Sequence, residues 1–415
     1  MNHDVIVVGG GASGLMCAGI AAGRGLKVLL LEKMPMPARK LRISGKGRCN
    51  ITNVVSKQDF MQHIGPDSRF LHNAFGIFFS EELVSFFERI GIKTIVEQGG
   101  RIFPASGKAT DVVDGLSAWI KKEGVQLKCS TPVKQVIIQN GKAIGIITSA
   151  NEKIFANSVV VATGGLSYPA TGSTGDGYRF AEEAGHKVSP LRPMLVPLVS
   201  ADTFVPKLDG LHLKNISVAI FIDGKKTHEI FGELEFMENA LTGPVILSLS
   251  RKFIDEINAR KKIVFSIDFK PALDPAKLDA RLLRDLNSMG KESFYELLRG
   301  LLPSQLIPVF VALLQIGKEK KCSQISGAER KKIVELLKNF PLNIVGHRDY
   351  NEAIITGGGI SLKEVNPKTL ESKLIKNLFF TGEVLDLDAD TGGYNLQIAF
   401  STGYLAGISI QKPEP

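Results

Sequence analysis

A glycine-rich turn directly follows the first apolar run of the chain. In the stretch DVIVVGGGASGLMCA, Gly9, Gly11 and Gly14 have the spacing G-x-G-x-x-G between a predicted strand and a predicted helix. Glycine suits such a turn because backbone N–H groups must closely approach a pyrophosphate at the helix N-terminus. Glu32 ends the next apolar run, KVLLLE, where a carboxylate accepts hydrogen bonds from a ribose diol. This pattern predicts a dinucleotide site; a purely structural glycine turn is the alternative.

Two later runs distinguish between FAD and NAD, the two dinucleotides that such a motif accommodates. The runs VVVATGG (159–165) and LFFTGEVLD (378–386) are apolar strands that each end in Thr-Gly. In flavoproteins resembling glutathione reductase, such strand ends lie against FAD, and an acidic residue after the second holds the ribityl chain. NAD dehydrogenases lack this second signature. Glu383 has the acidic position, so we predict FAD, with two ordinary buried strands as the alternative.

The order of predicted elements indicates a split α/β domain. Over the first 190 residues, short β-branched runs alternate with helical patterns, as in an open α/β sheet. Alternating strands with an Asp-Gly hairpin turn follow, then a helical stretch, and finally a strand, loop and helix that return the chain to its first domain. The predicted parts are a Rossmann-like FAD-binding domain (residues 1–190 and 346–415), a small β unit (191–272), and a helical subdomain with a return strand (273–345).

The positive charge of the chain is concentrated in its predicted helical part. The formal net charge is +9, from 51 basic and 42 acidic residues. Between Arg251 and Phe340 there are 18 basic and 11 acidic residues, a difference of +7. Such a segment attracts polyanions, although lysine-rich helices are usually solvated surface. The four cysteines lack metal-type spacing and no apolar run reaches the ~18 residues of a membrane span, so we expect a cytoplasmic protein without a metal site.

Four blocks of the sequence resemble a known family. They are ARKLRISGKGRCNITN, ATGGLSYPATGSTGDGY, GELEFMENALTGPVILSLSR and TGEVLDLDADTGGYNLQIAFSTGYLAG, and the similarity extends over nearly the whole chain. By these blocks the chain is similar to the BaiN/RdsA family of NAD(P)/FAD-dependent oxidoreductases. The resemblance implies an FAD domain split by an inserted β-barrel and a helical subdomain. The reactions it implies are bile-acid ene reduction, aminoacetone oxidation and reduction of uridine in ribosomal RNA.

The resemblance also places the first and last blocks along the cofactor, with Val133 on its adenine side. Arginine and lysine would supply charge-assisted donors for phosphate, and the predicted helix N-terminus in TGGYNLQIAFSTG would favour negative charge on the reduced flavin. A solvated basic turn and a simple helix cap are the alternatives. The predicted FAD contacts are Gly9, Gly11, Ala12, Ser13, Gly14, Glu32, Lys33, Arg39, Lys40, Ser44, Gly45, Arg48, Asn50, Val133, Thr163, Gly164, Gly382, Glu383, Gly392, Gly393, Asn395 and Leu396.

Candidate proton donors lie in the same blocks. Cys49 follows Arg48, which could lower the pKa of the thiol and let it protonate a reduced carbon; buried packing is the alternative. Tyr394, in a glycine-rich loop, is a second candidate acid, with aromatic packing as its alternative. Of the seven histidines, His347 lies nearest to a predicted active-site strand.

The sequence therefore predicts an FAD-dependent oxidoreductase that transfers hydride from reduced flavin to an electron-poor C=C bond. No helix is predicted after the run TGGGI (356–360), so NAD(P)H would dock transiently at the flavin face. The basic helices favour uridine in ribosomal RNA as the substrate, although aromatic residues for base stacking are few. A small-molecule ene reductase or amine oxidase is the alternative enzyme, and a non-catalytic flavin-containing protein the alternative of another class. The predicted phosphate contacts are Arg281, Arg284, Lys318, Lys320, Lys321, Arg330, Lys331 and Lys332.

Overall fold

The computed structural model describes residues 3–412 of the chain. The chain forms two compact units, of which the first extends to Met194 and resumes at Tyr350, and the second contains Leu195–Asp349. Residues 1–2 and 413–415, which the predicted FAD-binding domain includes, lie outside the described residues. None of the described helices is long and apolar enough to cross a membrane.

Strands and helices are distributed over both units. The strands are β1 (His3–Val8), β2 (Val28–Leu31), β3 (Thr52–Asn53), β4 (Thr94–Glu97), β5 (Arg101–Pro104), β6 (Gln126–Lys128), β7 (Val133–Gln139), β8 (Lys142–Thr148), β9 (Lys153–Val161), β10 (Arg192–Met194), β11 (Leu198–Ser200), β12 (His212–Ile222), β13 (Lys225–Phe236), β14 (Ala240–Thr242), β15 (Ile263–Asp268), β16 (Phe340–His347), β17 (Ile355–Gly357) and β18 (Leu378–Phe380). The α-helices are α1 (Ala12–Gly23), α2 (Arg39–Gly47), α3 (Lys57–Gln62), α4 (His72–Ile77), α5 (Ser80–Arg89), α6 (Ala109–Lys122), α7 (Asp176–Glu183), α8 (Pro244–Asn258), α9 (Pro275–Ser288), α10 (Phe294–Arg299), α11 (Ile307–Leu314), α12 (Gly327–Lys338) and α13 (Tyr394–Ser409).

The first unit is built on a sheet with the strand order β6-β2-β1-β9-β8-β7, in which β18 also pairs with β9. The central strands are parallel, with Val5 opposite Val28 on one side of β1 and Val7 opposite Val160 on the other. Their facing residues are buried, as expected for parallel strands that are covered on both faces. The predicted Rossmann-like α/β arrangement is confirmed.

Helices α1 and α13 approach each other closely beside this sheet. A Cβ atom at Gly403 would lie 2.3 Å from the backbone oxygen of Ser13, so the contact requires glycine at this position. α1 begins directly after β1, and α13 follows β18 and a loop, so both helices begin on the side of the sheet where parallel strands end. Ligands of open α/β sheets bind at that edge.

A second sheet, β3-β5-β4, anchors the basic segment near residue 45. Thr52 of β3 pairs with Ile102 of β5. Upstream, α2 is interrupted at Ser44, Gly45 and Lys46, whose backbone is not helical. Serine and glycine both weaken a helix interior, which accounts for the position of the break. The segment that the sequence presents as irregular is therefore a short helical turn followed by a kink.

The second unit contains a closed antiparallel barrel with the strand order β11-β14-β13-β12-β15-β16. Its longest strands, β12 and β13, form a hairpin whose two-residue turn consists of Asp223 and Gly224. Both residues have positive φ, 50° and 81°, as a tight hairpin turn that matches the strand twist requires. The predicted hairpin and the predicted inserted barrel are confirmed.

Helices α9 to α12 lie between β15 and β16 in the chain and share a hydrophobic core with the barrel. The rings of Phe310 in α11 and Phe340 in β16 stack at a centroid distance of 5.5 Å. β16 closes the barrel beside β15, with Ile344 opposite Ile263. Barrel and helices thus belong to one compact unit, and their separation at residue 272 stays a prediction from sequence.

Candidate functional site

The glycine-rich turn joins the end of β1 to the start of α1. A Cβ atom at Gly9 would lie 2.5 Å from the backbone oxygen of Ala162, and one at Gly14 would lie 1.9 Å from the backbone oxygen of Gly9. Gly11 differs, because no heavy atom lies within 4 Å of its Cβ position. The turn therefore packs tightly against the sheet while its backbone at Gly11 remains open to a ligand.

Glu32 stands immediately after β2, beside this turn. Its Oε2 accepts a hydrogen bond from Gly10 N and its Oε1 accepts one from Met34 N, both at 2.8 Å. Each carboxylate oxygen can accept a further bond, so Glu32 is held in place and remains available to hydroxyl groups. The neighbouring Lys33 forms an ion pair with Asp176 of α7 at 2.7 Å.

A cavity beside the turn brings together residues from distant parts of the first unit. The predicted FAD contacts that line it are Gly9, Gly11, Ala12, Ser13, Glu32, Lys33, Arg39, Lys40, Ser44, Val133, Thr163, Gly164, Glu383, Asn395 and Leu396. The predicted contacts that do not line it, although all lie in the described part of the chain, are Gly14, Gly45, Arg48, Asn50, Gly382, Gly392 and Gly393. The cavity therefore combines the glycine turn, the end of β2, the first turn of α2 and the start of α13.

Lys40 and Glu383 form an ion pair in the cavity wall. Lys40 Nζ lies 2.8 Å from Glu383 Oε2 and donates a hydrogen bond to Ser167 Oγ at 2.6 Å. Ser167 Oγ and the backbone N–H of Thr356 both donate to Glu383 Oε1 at 2.9 Å. Ser167 and Thr356 are buried. Four segments that are far apart in the chain thus fix one charged pair, which presents a preorganised polar surface to a ligand.

The sequence did not indicate the roles of Ser167 and Thr356. Thr356 Oγ1 accepts hydrogen bonds from the backbone N–H groups of Leu166 at 2.7 Å and Ser167 at 3.1 Å. Thr356 therefore fixes the loop that carries the Ser167 hydroxyl. Both residues lie in runs that the sequence marks, ATGGLSYPATGSTGDGY and TGGGI, but only the folded chain shows which side chains bond to Glu383.

Polar groups in the cavity wall match the chemistry of FAD. Lys33 and Lys40 are paired with carboxylates, whereas Arg39 has no carboxylate partner among residues 3–412. The Thr163 hydroxyl is buried without a hydrogen-bond partner in the described part of the chain, although buried polar groups are normally satisfied. The first turn of α1 lines the same cavity and offers backbone N–H groups to an anion. A diphosphate with a polar chain fits this set of donors.

Arg48 and Cys49 do not line the cavity. The Arg48 guanidinium pairs with both carboxylate oxygens of Glu97 and lies 4.3 Å from the ring centroid of Phe103. Cys49 is buried, and burial raises the pKa of its thiol to about 12, although a hydrogen bond with Ser44 acts in the opposite direction. The lowered pKa considered for Cys49 is not found, because Glu97 neutralises Arg48 and the thiol is desolvated; its surroundings agree with packing, and a catalytic role stays a prediction.

Tyr394 begins α13 and lies in an aromatic cluster. Its ring contacts Phe60 edge-on at a centroid distance of 4.6 Å and stacks on His63 at 4.4 Å. Burial, with the carboxylates of Asp390 and Asp59 nearby, raises the pKa of the Tyr394 hydroxyl. Tyr394 is buried and does not line the cavity, so aromatic packing accounts for its surroundings and a role as an acid stays a prediction.

The remaining candidates from the sequence lie elsewhere. His347 belongs to the second unit, where its ring nitrogens contact Asn258 Oδ1 at 2.9 Å and the backbone oxygen of Arg348 at 2.7 Å. Within residues 3–412, no group of three or more histidine, cysteine, aspartate or glutamate side chains is arranged to hold a metal ion.

The predicted phosphate contacts of the second unit fall into two groups. Arg281, Lys318, Lys320 and Arg330 have carboxylate partners at 3.6, 3.9, 2.6 and 2.7 Å, respectively. Arg284, Lys321, Lys331 and Lys332 are exposed and form no ion pair in the part of the chain that the structure describes. Half of the predicted positive surface is therefore neutralised within the protein.

Two relatives resemble the chain over nearly its full length. The chain is 31% identical over 412 residues to the 3-dehydro-bile acid delta(4,6)-reductase of Clostridium scindens, a match that covers 98% of this chain and 99% of the relative. It is 28% identical over 411 residues to the ribosomal RNA dihydrouridine synthase of Haemophilus influenzae, a match that covers 98% of each chain.

Solved structures share the fold at low sequence identity. The TM-score is 0.51 with the 3-ketosteroid delta1-dehydrogenase of Sterolibacterium denitrificans, at 14% identity and 99% coverage of both chains. It is 0.50 with the 3-ketosteroid-delta4-(5alpha)-dehydrogenase of Rhodococcus jostii, at 14% identity, covering 99% of this chain and 97% of the other. The Rossmann-type FAD-binding fold predicted from the sequence is confirmed.

A family model supports the same relationship. The model described as the HI0933-like protein Rossmann domain matches residues 3–409, and therefore includes the glycine turn, the inserted barrel and the returning helix α13. With the two relatives, this match confirms the resemblance seen in the sequence. The chain belongs to the family of the HI0933-like protein Rossmann domain, a family of FAD-binding oxidoreductases.

Proposed function

We propose that this protein is an FAD-dependent reductase that transfers hydride to an electron-poor carbon–carbon double bond. The observation that carries the proposal is the single cavity lined by the glycine turn, Glu32, Arg39 and the Lys40–Glu383 pair. The names of the two relatives are consistent with this chemistry. One is a delta(4,6)-reductase, and the product of the other, dihydrouridine, is uridine with its C5–C6 double bond reduced.

The residues of the cavity have distinct proposed roles. Bound FAD would supply the hydride-transfer chemistry. The first turn of α1 and Arg39, which has no carboxylate partner in the described part of the chain, would hold its diphosphate, and Glu32 would accept hydrogen bonds from ribose hydroxyls. Lys40, held by Glu383 and Ser167, would offer a hydrogen-bond donor to the polar part of the cofactor.

NAD(P)H is the electron donor that we propose. Within residues 3–412, the G-x-G-x-x-G spacing that we predict to bind a dinucleotide lies in the β1–α1 turn, from Gly9 to Gly14. The run TGGGI begins in β17 and is followed by a short 3₁₀ turn at Leu362–Glu364. A donor without a nucleotide-binding unit of its own would dock transiently where the flavin is accessible.

For the substrate, we propose uridine in ribosomal RNA. The support is the exposed set Arg284, Lys321, Lys331 and Lys332, which form no ion pair within residues 3–412, since such cations bind phosphates and release counterions. An α,β-unsaturated ketone of small size is the second candidate. It is favoured by the ion pairs that neutralise the other four predicted cations and by the 31% identity to a bile acid reductase.

A two-stage experiment tests the proposed function. Purified protein is first titrated with FAD and followed by flavin absorbance, with the Glu32→Ala variant as the control for the predicted ribose contact. The reduced holoprotein is then mixed, without oxygen, with a ribosomal RNA transcript or a steroidal dienone, and dihydrouridine or saturated ketone is quantified. Protein that takes up no FAD would refute the flavoenzyme proposal, whereas turnover of the dienone alone would favour the second candidate.

A further inference from the structure

A loop between two parts of the cavity wall carries Asp390, which pairs with His63. The proposed function gives this pair no role. The loop runs from Leu385 to Gly393, between the 3₁₀ turn that contains Glu383 and helix α13. Asn395, which lines the cavity, accepts a hydrogen bond from Ala389 N at 3.0 Å and donates to the backbone oxygen of Asp390 at 3.1 Å. The backbone of Asp390 is thus held directly against a side chain of the cavity wall.

The Asp390 carboxylate holds the imidazole of His63. Asp390 Oδ2 lies 3.0 Å from His63 Nδ1, and Asp390 N donates to the backbone oxygen of His63 at 2.9 Å. An isolated β-bridge between Ile64 and Ala389 adds a second connection between the two segments. The His63 ring also stacks on Tyr394 at 4.4 Å, with 20° between the ring planes. Both the position and the plane of the imidazole are therefore fixed.

This arrangement leaves one nitrogen of His63 available for chemistry. Nδ1 is engaged by Asp390, and Nε2 has no hydrogen-bond partner in the described part of the chain. The His63 side chain is 41% exposed, so Nε2 is accessible to a ligand. A histidine whose second nitrogen is oriented by a carboxylate is a common source of protons in enzymes. Neither His63 nor Asp390 is among the residues that line the cavity; the pair stands beside its wall and is joined to it through Asn395.

We propose that His63 is the proton donor of the reductase reaction, with Asp390 as its positioning residue; this inference rests on the proposed function. Hydride adds to one carbon of the substrate double bond, and the π electron pair moves to the neighbouring carbon, which takes the proton from His63 Nε2. Two C–H bonds form while three bonds break: the π bond of the substrate, the N–H bond of His63, and the bond that held the hydride on the reduced cofactor. The substrate gains the two electrons that the cofactor loses, and His63 becomes neutral.

The test compares an acceptor that needs a proton with one that does not. Holoprotein is reduced with dithionite without oxygen and mixed with cyclohex-2-enone, with a ribosomal RNA transcript, or with ferricyanide, which takes single electrons and no proton. His63→Ala should slow reoxidation by the double-bond acceptor that the parent uses by about 10²-fold or more, and leave reoxidation by ferricyanide unchanged. Added imidazole should restore part of the lost rate. Asp390→Asn should cause a smaller loss of the same kind.

The matched control is His72→Ala, since His72 is an exposed histidine on the nearby helix α4 of the same unit. It should leave both rates unchanged. Equal losses with both types of acceptor, or no loss with His63→Ala, would overturn the role of His63 while leaving the proposed function intact. If ferricyanide oxidises the parent but neither double-bond acceptor does, the proposed function fails, and this inference fails with it.

Discussion

Replacing Thr356 by valine should loosen the cavity wall and leave the glycine turn unaffected. Thr356 is 1% exposed, and its Oγ1 accepts the N–H groups of Leu166 at 2.7 Å and Ser167 at 3.1 Å. Valine preserves the shape of the side chain and removes the acceptor, so the buried N–H of Ser167 and the partly buried N–H of Leu166 lose their partner. Each such group costs about 1–3 kcal/mol, and we expect a loss of about 2–4 kcal/mol in the free energy of unfolding of the first unit.

Thr356→Ser is the matched control, because it keeps the hydroxyl oxygen and removes one methyl group, at a cost of about 1 kcal/mol. Urea unfolding can be followed by the fluorescence of Trp119, the single tryptophan of the chain, which lies in α6 of the first unit. FAD affinity gives a second measurement. We expect it to weaken in the valine variant, because a displaced Ser167 no longer holds Glu383, and to be largely retained in the serine variant.

The comparison of the two variants decides whether the hydroxyl acts as the anchor. If Thr356→Val and Thr356→Ser unfold with free energies within about 0.5 kcal/mol of each other, the two N–H groups find other partners and our reasoning is wrong. Equal FAD affinities of the valine variant and the parent would show that the order of this loop does not reach the cofactor site.

Three further predictions concern single groups of the site and the charged helices. Glu32→Ala should weaken FAD binding by about 1.5–3 kcal/mol, and an unchanged dissociation constant in a flavin titration would exclude the ribose contact. Cys49→Ala should keep FAD and lose less than about tenfold in turnover, because burial raises the thiol pKa to about 12; a hundredfold loss with full flavin content would contradict this. The four exposed cations that form no ion pair among the described residues predict a slope of about −3 for RNA affinity against salt in a log-log plot, and Lys331→Glu with Lys332→Glu should weaken binding and flatten that slope. The same charge reversal of the exposed lysines at 121 and 122 in α6 is the control, and equal effects of the two double variants would argue against a specific RNA surface.

Local sequence patterns were sufficient to predict turns between helices and strands, including the glycine turn of the candidate site. The G-x-G-x-x-G spacing from Gly9 to Gly14 predicted the turn between β1 and α1, because both the bend and the close packing involve residues that are neighbours in the chain. The hairpin turn at Asp223 and Gly224 was predictable for the same reason, since positive φ at two successive positions restricts the residue types.

Patterns of this kind could not reveal the electrostatics of the basic segment. Arg48 precedes Cys49 in the sequence, which suggested an activated thiol. In the folded chain, Glu97 of β4 neutralises Arg48, and Cys49 is buried. A pKa depends on desolvation and on the nearest charges, and both are set by which strands fold against the segment.

By itself, the sequence determined the parallel sheet, the inserted barrel strands and the glycine turn, because periodicity and backbone sterics act over a few residues. The tertiary structure alone decided that Lys40 pairs with Glu383 across 343 residues and that His63 pairs with Asp390 across 327 residues. Those contacts depend on which strand ends and loops converge at the edge of the sheet. Bringing such distant segments together depends on the fold of the whole unit, so no local pattern encodes these hydrogen bonds.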